Sequence, residues 1–448
     1  MAGLAAIARP SMSKQVHTML DRISHRGGAG RLVLEAGGCT LGLVTPPSQS
    51  HLLQALQDAG RAVDGPGHGH RAIVEASGGQ LVLTRDELGV APLYTGTLPD
   101  GTQVCASEVK ALIPEARMIL EVPPGHALRG GAARRYFELR TGEEFSEDAQ
   151  AIARRLREEL EAAVRRRVQT DTMGSWLSGG LDSSTLAALA RRQLDTLHTF
   201  AAGLEGAPDL EFAREVARFI GSVHHEALLS LQDLIRVLPV VIEHLESFDA
   251  LLVRSSVTNY LVARLASEFV GEVFSGEAGD ELFAGYAYLK DLDPGALQGE
   301  LLEITGRLHN TALQRVDRSA SAHGTVAHTP FTDPTVVSVA FRIPARLKLV
   351  DGVEKWILRE ALQGALPDRV LQRTKAKFWE GAGVGDHLAH HAAGAISDGD
   401  FARERHLPGG WELNTKEELL YYRIFRERFG ALEDLSWMGR TKGSPVDR

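Results

Sequence analysis

The sequence is poor in the features that mark several classes of protein. Its 448 residues contain only two cysteines, Cys39 and Cys105, too few for a disulfide framework, which favours a reducing cytoplasm. No apolar run approaches the ~18 residues that a membrane span needs. The first residues lack the charged and apolar regions of a signal peptide. The formal net charge of −9 argues against a nucleic-acid footprint over the whole surface. We therefore expect a cytoplasmic protein that binds neither nucleic acid nor membrane.

The chain has two regions of different character, and its length suggests two to three domains at ~150 residues each. The first region has short apolar or alternating runs between Gly and Pro clusters, which predicts strands at 32–35, 39–44, 71–75 and 80–84 around a helix at 51–60. A glycine-rich, polar boundary follows at 130–147. The second region alternates predicted helices and strands: 147–167, 173–177, 183–192, 197–204 and 210–220. Helices at 235–269, a strand at 271–274 and a helical remainder from 282 follow, and this order predicts a parallel α/β sheet.

The first candidate site is a heptapeptide between a predicted strand and a predicted helix: Ser178, Gly179, Gly180, Leu181, Asp182, Ser183 and Ser184. The glycines let the backbone turn and present N–H groups to an anion at a helix N-terminus. A carboxylate in a phosphate cradle is explained if Asp182 binds Mg²⁺ that bridges to the phosphates. The alternative is an ordinary glycine turn with an Asx cap.

The second candidate site again follows a short apolar strand: Ser275, Gly276, Glu277, Ala278, Gly279, Asp280 and Glu281, continued by 282–286. Open α/β sheets bind ligands at the carboxyl ends of their strands, so Asp182 and Asp280 are predicted to chelate Mg²⁺ on a triphosphate together. Glu277 would then meet the reacting group. Acids at the start of a helix also serve simply as caps, which is the alternative.

A third candidate site is a basic stretch, 373–378, that leads into the glycine-rich loop 381–385. Basic side chains there suit charge that develops on a phosphate or an oxyanion. A solvated basic loop remains an equal alternative for this segment.

In order and spacing, these segments resemble the synthetase half of the asparagine synthetase B family over almost all of residues 150–395. The resemblance includes 178–184, 199–204, 223–226, 275–286, 354–360 and 375–385, and the stretches 25–27 and 83–140 resemble the family's glutaminase domain. It implies a shortened, β-rich Ntn-hydrolase-like domain over 1–145. It also implies a parallel α/β synthetase domain of the adenine-nucleotide alpha-hydrolase-like (PP-loop) class over 146–440, with a helical C-terminal part, and a tail over 441–448.

The resemblance also implies roles for individual residues. Asp182 and Asp280 would hold Mg²⁺, Glu277 would be an acid, base or orienting group, and Lys375 would neutralise charge on phosphate. The residues expected at ATP or AMP are Leu177, Ser178, Gly179, Gly180, Asp182, Ser183, Ser184, Ala202, Ser275, Gly276 and Tyr286. The implied reaction forms an acyl-adenylate and pyrophosphate, and ammonia or an amine then attacks the acyl carbon.

The first departure from the family concerns the glutaminase. Its nucleophile is a cysteine exposed at the start of the chain, and the equivalent position here is Ala2. The segment with the glutamine-binding arginine and the Asn-Gly-Glu oxyanion motif has no counterpart, because the chain passes from Pro46 almost directly to the helix at His51. We therefore expect residues 1–140 to be inactive as a glutaminase.

The second departure concerns the acceptor pocket. Two threonines that precede an arginine in aspartate-using members are Leu251 and Leu252 here, although Arg254 remains. The family's glutamate and arginine before Pro-Phe-Leu-Asp are Val326 and His328. Because lost hydrogen-bonding groups are costly around a charged amino acid, these changes predict a carboxylate larger or less polar than aspartate. Drift at positions that never touch substrate is the alternative.

Together these features predict an ATP- and Mg²⁺-dependent carbon–nitrogen ligase that adenylates a small-molecule or peptide carboxylate without hydrolysing glutamine. The nitrogen donor is left open between ammonia, an amine, or ammonia from a separate protein. A lactam- or macrolactam-forming cyclase of a natural-product pathway is one alternative. A non-catalytic nucleotide-binding regulator is another. A homodimer is compatible with the sequence.

Overall fold

The computed structural model describes residues 1–113, 115–374 and 378–442. The first part of the chain consists mainly of antiparallel strands, joined by short turns. Its helices and strands are β1 (Gly3–Ile7), α1 (Ser13–Arg22), β2 (Gly30–Ala36), β3 (Cys39–Thr45), α2 (His51–Ala59), β4 (Arg61–Gly67), β5 (His70–Ser77), β6 (Gln80–Arg85), β7 (Tyr94–Thr97), β8 (Gln103–Ala106), β9 (Arg117–Glu121), β10 (His126–Arg129) and β11 (Ala132–Arg135).

These strands form two sheets, in the orders β2-β3-β1-β8-β7-β9 and β11-β10-β6-β5-β4. Alternate residues of a strand face opposite sides, and one such set packs between the sheets. Leu4, Leu41 and Leu43 of the first sheet contact Val74 and Leu83 of the second in one buried cluster. Both cysteines lie in this core, which explains their burial without a disulfide.

The second part of the chain is predominantly helical around a parallel sheet. Its helices and strands are α3 (Ala149–Arg166), β12 (Thr172–Trp176), α4 (Leu181–Arg191), β13 (Thr196–Leu204), α5 (Pro208–Ile220), β14 (Val223–Leu229), α6 (Leu231–Leu245), α7 (Ala250–Ser267), β15 (Glu272–Phe274), α8 (Gly279–Phe283), α9 (Pro294–Gly306), α10 (Ala312–Ser321), β16 (Val326–His328), α11 (Pro334–Ala340), α12 (Ala345–Lys348), β17 (Leu349–Val350), β18 (Val353–Glu354), α13 (Trp356–Ala361), α14 (Asp368–Leu371), α15 (Phe378–Gly381), α16 (His387–Ala395), α17 (Asp398–Glu404) and α18 (Lys416–Phe429).

The parallel sheet has the order β14-β13-β12-β15-β16. The chain builds outward from β12 through β13 to β14, then returns to the other side of β12 with β15 and β16. A reversal of strand order opens a crevice at the carboxyl ends of the two strands that flank it. Here those strands are β12 and β15, and each leads directly into one of the two candidate motifs.

The structure differs from the sequence-based expectations at several places, among them β16, which joins the parallel sheet within a stretch expected to be helical. Strand β11 lies inside the stretch that we expected to be a boundary, where it pairs with β10. The helical stretch expected at 235–269 is two helices, because Glu246 ends α6 with a left-handed backbone (φ 58°). Strand β14 falls where only a motif was recognised. The predicted domain limits remain a prediction.

The two parts of the chain share a hydrophobic core. Ile7 of β1 and Leu20 of α1 lie in the same buried cluster as Leu238 of α6 and Phe425 of α18. The first sheet is therefore covered by helix α1 together with helices from the second part. Among the residues described, no helix is long and apolar enough to cross a membrane.

Candidate active site

A cavity of about 930 Å³ lies at the carboxyl ends of β12, β13 and β15. The predicted crevice and the cavity therefore coincide. The structure brings most of the predicted site residues together in its lining: Leu177, Ser178, Gly180, Asp182, Ser183, Ala202, Leu251, Leu252, Ser275, Gly276, Glu277, Asp280 and Tyr286.

The loop after β12 is shaped to bind an anion. Gly179 has a left-handed backbone (φ +68°), and a Cβ there would lie 2.4 Å from Cβ of Phe212 on α5, so only glycine fits. The hydroxyl groups of Ser178 and Ser183 are 3.1 Å apart and hold the turn. Helix α4 begins after Gly180, and no side chain caps its first N–H groups. The first residues of this helix line the cavity, so the positive end of the helix dipole lies at the cavity.

The loop after β15 packs directly against the first loop. A Cβ at Gly276 would lie 2.8 Å from the backbone nitrogen of Ser183, and one at Gly279 would lie 2.4 Å from Cγ of Asp182. The short helix α8 is flanked by Ala278 and Ala284, both with positive φ (77° and 61°). Non-glycine residues in this region are strained and cluster at functional sites. The second motif is thus fixed to the first by close backbone contact.

Lys355 lies between the two aspartates. Its Nζ is 2.5 Å from Oδ2 of Asp182 and 2.6 Å from Oδ1 of Asp280, and the lysine is only 2% exposed. Its backbone is left-handed (φ 55°) just before α13. A buried cation that bonds two carboxylates offsets their mutual repulsion. The carboxylates of both motifs therefore point to a single position.

The remaining acids of the second motif have different environments. Oε1 of Glu277 is 2.7 Å from a guanidinium nitrogen of Arg315 on α10, and the glutamate is partly exposed to the cavity. Glu281 is fully buried and accepts a hydrogen bond from the hydroxyl of Tyr286. Burial, followed by the nearby charge of Asp280, raises the pKa of Glu281 to about 7. The same burial and the carboxylate of Glu281 raise the pKa of Tyr286.

Some predicted site residues do not line the cavity. Gly179, in the first loop, and Ser184, in the first turn of α4, are absent from the cavity lining. Arg254 is buried against Glu417, with Nε 2.8 Å from its carboxylate, and also bonds Asp386 at 3.0 Å. His328 bonds Glu272 at 2.8 Å within the sheet. The predicted substrate contacts of Arg254 and His328 therefore receive no support from the geometry. Lys375 lies outside the described residues.

Several lining residues escaped the sequence analysis as site residues. Lys355 lies in the motif 354–360, for which the sequence predicted no role in the site. Arg315 stands in no recognised motif, and its partner Glu277 lies on a loop distant in sequence. Asn259 and Trp176 line the cavity from α7 and β12. Arg373, by contrast, belongs to the third candidate site, and it does line the cavity. It donates to the backbone oxygen of Ser178 at 3.2 Å and bonds Asp209 at 2.5 Å. Such pairings depend on packing between distant elements and leave no trace in a local pattern.

The two aspartates fit a magnesium ion. Within the described residues no set of three or more His, Cys, Asp or Glu side chains forms a metal cluster. Asp182 and Asp280 nevertheless converge on one cation, Nζ of Lys355. Mg²⁺ is usually held by one or two carboxylates, with water and substrate phosphates as its other ligands. The donor set offered by the two loops matches this requirement.

Two family models match long stretches of this chain. Residues 155–299 and 290–442 match the family described as asparagine synthase, and together these ranges exceed half of the chain. The chain belongs to the asparagine synthase family. Residues 50–139 also match the glutamine amidotransferase domain. The family resemblance inferred from the motifs is thereby confirmed, as is the carbon–nitrogen ligase class to which it points.

Curated relatives cover most of this chain. It is 34% identical over 393 residues to the glutamine-hydrolysing asparagine synthetase of Sandersonia aurantiaca, covering 82% of this chain and 75% of that protein. It is 36% identical to asparagine synthetase 2 of Lotus japonicus (80% and 65%) and 36% identical to the enzyme of Asparagus officinalis (78% and 63%). The chain thus spans about two thirds to three quarters of these relatives' length.

The predicted fold class, a β-rich first domain followed by a parallel α/β domain, is confirmed. A β-rich first part carries the glutamine amidotransferase match, and a parallel α/β sheet with helices carries the asparagine synthase match. The amidotransferase match begins at residue 50. Strands β1, β2 and β3 therefore precede the matched range.

Proposed function

We propose that the protein is an ATP-dependent amide-forming ligase that adenylates a carboxylate and transfers the acyl group to ammonia or an amine. The observation that carries this proposal is the convergence of the loops after β12 and β15 on one cavity, with Asp182 and Asp280 bound to one cation. The asparagine synthase family supports the use of ATP and the amide-forming class.

The nucleotide binds across the crevice between β12 and β15. The N-terminus of α4 and the hydroxyls of Ser178 and Ser183 donate to phosphate oxygens. Trp176, Phe200 and Val262 line the cavity on the far side of the first loop and provide an apolar wall for the adenine ring. Leu177 and Ala202, which were predicted at the nucleotide, lie in the same lining.

The proposed reaction has two steps, adenylation of the carboxylate and transfer of the acyl group to nitrogen. A carboxylate oxygen attacks the α-phosphorus of ATP, the bond from that phosphorus to the bridging oxygen breaks, and pyrophosphate leaves. The nitrogen nucleophile then attacks the acyl carbon, the bond to AMP breaks, and the nitrogen loses a proton. Glu277 orients the nitrogen nucleophile or accepts its proton. Arg315 holds the Glu277 carboxylate in place, with a guanidinium nitrogen 2.7 Å from Oε1.

Magnesium enters this proposal through two residues. Asp182 and Asp280 would hold the ion, which neutralises charge on the phosphates when bound. In this structure, Nζ of Lys355 supplies the positive charge between these two carboxylates. The predicted role of Lys375 in neutralising phosphate charge remains part of the proposal.

We further propose that the first part of the chain does not hydrolyse glutamine. Ala2 offers no nucleophile, and both cysteines are fully buried in the core of the first two sheets. Burial raises the pKa of the Cys105 thiol and so disfavours the reactive thiolate. The nitrogen therefore comes from free ammonia, from a separate protein, or from an amine on a substrate.

Carboxylate-dependent exchange of pyrophosphate into ATP tests the ligase. We expect exchange with a suitable acid, and Asp182→Asn to lower it at least about 100-fold, the scale of one lost electrostatic group in an active site. Asp195→Asn is the matched control, since Asp195 is exposed and does not line the cavity. Undiminished exchange in Asp182→Asn would contradict the metal assignment. Absence of both exchange and nucleotide binding would overturn the proposed function.

Glutamine hydrolysis provides the second test. Purified protein incubated with glutamine, ATP and magnesium should release no glutamate above a heat-inactivated sample. Addition of ammonium salts should support amide formation where glutamine does not. Release of glutamate by the purified protein would refute the proposed loss of glutaminase activity while leaving the ligase proposal intact.

A further inference from the structure

Helix α10 lies between the cavity and the first part of the chain. Thr311, directly before it, and its residues Ala312 and Arg315 line the cavity. Asp317 and Arg318 are 1% exposed and bond residues of the first part instead. Because successive residues of a helix are ~100° apart, Arg315 and Asp317 lie on opposite faces. One face of α10 therefore borders the candidate active site, and the other borders the first part.

Arg26 makes three hydrogen bonds from the first part to this second face. Its two terminal nitrogens donate to the two carboxylate oxygens of Asp317, at 2.9 and 2.8 Å, and one of them also donates to the hydroxyl of Ser321 at 3.2 Å. The guanidinium also donates to Glu108 at 2.7 Å and to the backbone oxygen of Ala2 at 2.8 Å. A bidentate pair between a guanidinium and a carboxylate fixes direction as well as distance. The first part thus holds Asp317 in one orientation.

A second connection from α10 also ends on the first part. Arg318 donates to Oε2 of Glu246, the residue that ends α6, at 3.0 Å. The carboxylate of Glu246 accepts in turn from the backbone N–H groups of Val109 and Lys110, at 3.1 and 2.6 Å. The position of α10 therefore depends on the first part as well as on α7, against which it packs.

On the cavity face, Arg315 connects the helix to the reacting group. A guanidinium nitrogen of Arg315 is 2.7 Å from Oε1 of Glu277. Within the described part of the chain, no other side chain forms an ion pair with Glu277, so the position of its carboxylate depends on Arg315. Arg315 and Asp317 are two residues apart in one hydrogen-bonded helix, so a displacement of one moves the other.

We propose that the first part of the chain positions Glu277 for acyl transfer, with Arg26 and Asp317 as positioning residues that act through Arg315. This inference rests on the ligase function proposed above, because Glu277 acts in the second step of that reaction. The first part then serves the reaction without a glutaminase nucleophile.

The two steps of the reaction should respond differently to a displaced α10. Asp182 and Asp280, proposed for adenylation, are held together by Lys355 and by the contact between their loops. Glu277, proposed for nitrogen attack, is held from α10. A shift of about 1 Å in a reacting group can cost about 100-fold in rate. Nitrogen attack should therefore slow while adenylation continues.

Arg26→Lys tests the proposal because it keeps the buried charge, although an ammonium group lacks the fork that bonds both oxygens of Asp317. Pyrophosphate exchange without a nitrogen source measures adenylation, and amide formation at subsaturating ammonium chloride gives kcat/KM for ammonia. The acid is whichever of L-aspartate, L-glutamate, succinate and 3-phenylpropionate supports the fastest wild-type exchange. We expect kcat/KM for ammonia to fall at least about 10-fold and exchange to change less than about 2-fold.

Arg167→Lys is the matched control. Arg167 is also 0% exposed and bonds a buried aspartate, Asp333, at 2.6 Å. Its other hydrogen bonds include the backbone oxygens of Ala163 and His68, outside α10. A substitution that only destabilises the fold leaves fewer folded molecules, so this variant should lower exchange and amide formation by the same factor.

A double-mutant cycle tests whether Arg26 acts through Arg315. Arg315→Met removes the ion pair to Glu277 and should itself lower kcat/KM for ammonia at least about 10-fold. In that background, Arg26→Lys should cause a further loss of less than about 2-fold, because the connection is already broken. Losses that multiply would overturn the route through Arg315.

The remaining outcomes separate this inference from the ligase proposal. Equal losses of exchange and amide formation in Arg26→Lys, or unchanged amide formation, overturn the inference and leave the ligase proposal standing. If Arg26→Lys fails to bind ATP by calorimetry, Asp317→Asn, which keeps the shape of the side chain, replaces it and the same outcomes count. The inference is also overturned if the wild-type protein exchanges with none of the four acids or forms no amide from ammonium chloride. If there is no exchange and ATP also fails to bind, the proposed function falls with it.

Discussion

Two regions of this molecule gather charged side chains, one around Ala2 in the first part and one at the crevice between β12 and β15. Around Ala2 the charges bond to each other and are sealed from solvent. Arg26 donates to the backbone oxygen of Ala2 at 2.8 Å, to Glu108 at 2.7 Å and to Asp317 at 2.8 Å. All four residues are essentially unexposed.

At the crevice the charges face a cavity instead. Asp182, Asp280 and Glu277 all line it, and their partners are cations that also line it. Charges that are fully paired within the protein fix its structure, whereas charges that border a cavity can exchange partners with a ligand. The comparison therefore favours a structural role for the first region, and the catalytic role proposed above belongs to the second.

Removal of the central cation of the first region is expected to have the largest effect. Arg26→Met removes a buried cation that bonds both Glu108 and Asp317. Lys110 and Arg318 still bond these two acids, so the loss of unfolding free energy should be at most about 3–5 kcal/mol, the cost of a broken buried ion pair. Urea unfolding measures this loss. Arg9→Met is the control, since Arg9 pairs with Asp100 at the surface, where such pairs contribute about 0–1 kcal/mol. Equal destabilisation by both variants would contradict a structural role for the Arg26 cluster.

A methyl group at the contact between the two loops should chiefly affect catalysis. In Gly279→Ala the added Cβ would lie 2.4 Å from Cγ of Asp182, so the carboxylate must move. A shift of about 1 Å in such a group can cost about 100-fold in rate, which pyrophosphate exchange would report. Gly299→Ala on α9 is the control, because a Cβ there meets no atom within 4 Å. Full exchange activity in Gly279→Ala would show that the contact does not position Asp182.

Acid should weaken the contact between the two parts of the chain through His70. This histidine is buried and lies 3.0 Å from the backbone oxygen of Thr332. Burial and the charge of Arg167 lower its pKa to about 3. Below pH 6.5 the unfolded chain binds a proton that folded His70 rejects, so stability falls with pH by up to about 1.4 kcal/mol per unit until about pH 3.

The comparison of variants isolates this contribution from those of other histidines. Between pH 7 and pH 5, the wild-type protein should lose about 2 kcal/mol more unfolding free energy than His70→Gln, as measured in urea. His17→Gln, at an exposed position on α1, should lose as much as the wild type. If His70→Gln and the wild type respond alike, His70 does not couple folding to pH.

Restoring a thiol should have the smallest effect. Ala2→Cys is expected to release no glutamate from glutamine, because the N–H of residue 2 already donates to Gln49 at 2.7 Å and its carbonyl accepts from Arg26. Residue 2 is also 0% exposed, so a substrate has no room beside it. A colorimetric glutamate assay measures the outcome. Glutamate release above the wild-type level would show that the first region retains a usable pocket.

Local patterns predicted much of the fold and the two loops of the candidate site. The strand–glycine–helix order at 172–191 and again at 272–283 predicted both loops and the aspartates that meet between them. Alternation predicted strands β2, β3, β5 and β6 within a few residues. Residues 130–147 were misread, because glycine and polar residues also occur in an exposed edge strand such as β11.

Partners across the fold could not be predicted in this way. Arg254 was expected at the substrate because of its place in a family motif, yet it bonds Glu417, 163 residues farther along the chain. Lys355 bonds Asp182, which is 173 residues away. No periodicity or turn preference contains such pairings, since they arise only when helices and loops pack.

The sequence by itself determined the family and the strand–glycine–helix order of the two candidate loops. Those properties reside in residue types and short spacings, which govern backbone turns and reactive groups locally. Only the tertiary structure decided that the charges around Arg26 are sealed and that Lys355 joins the two aspartates. Burial and pairing belong to the packed chain, because a side chain's solvent exposure and partners depend on elements far away in sequence.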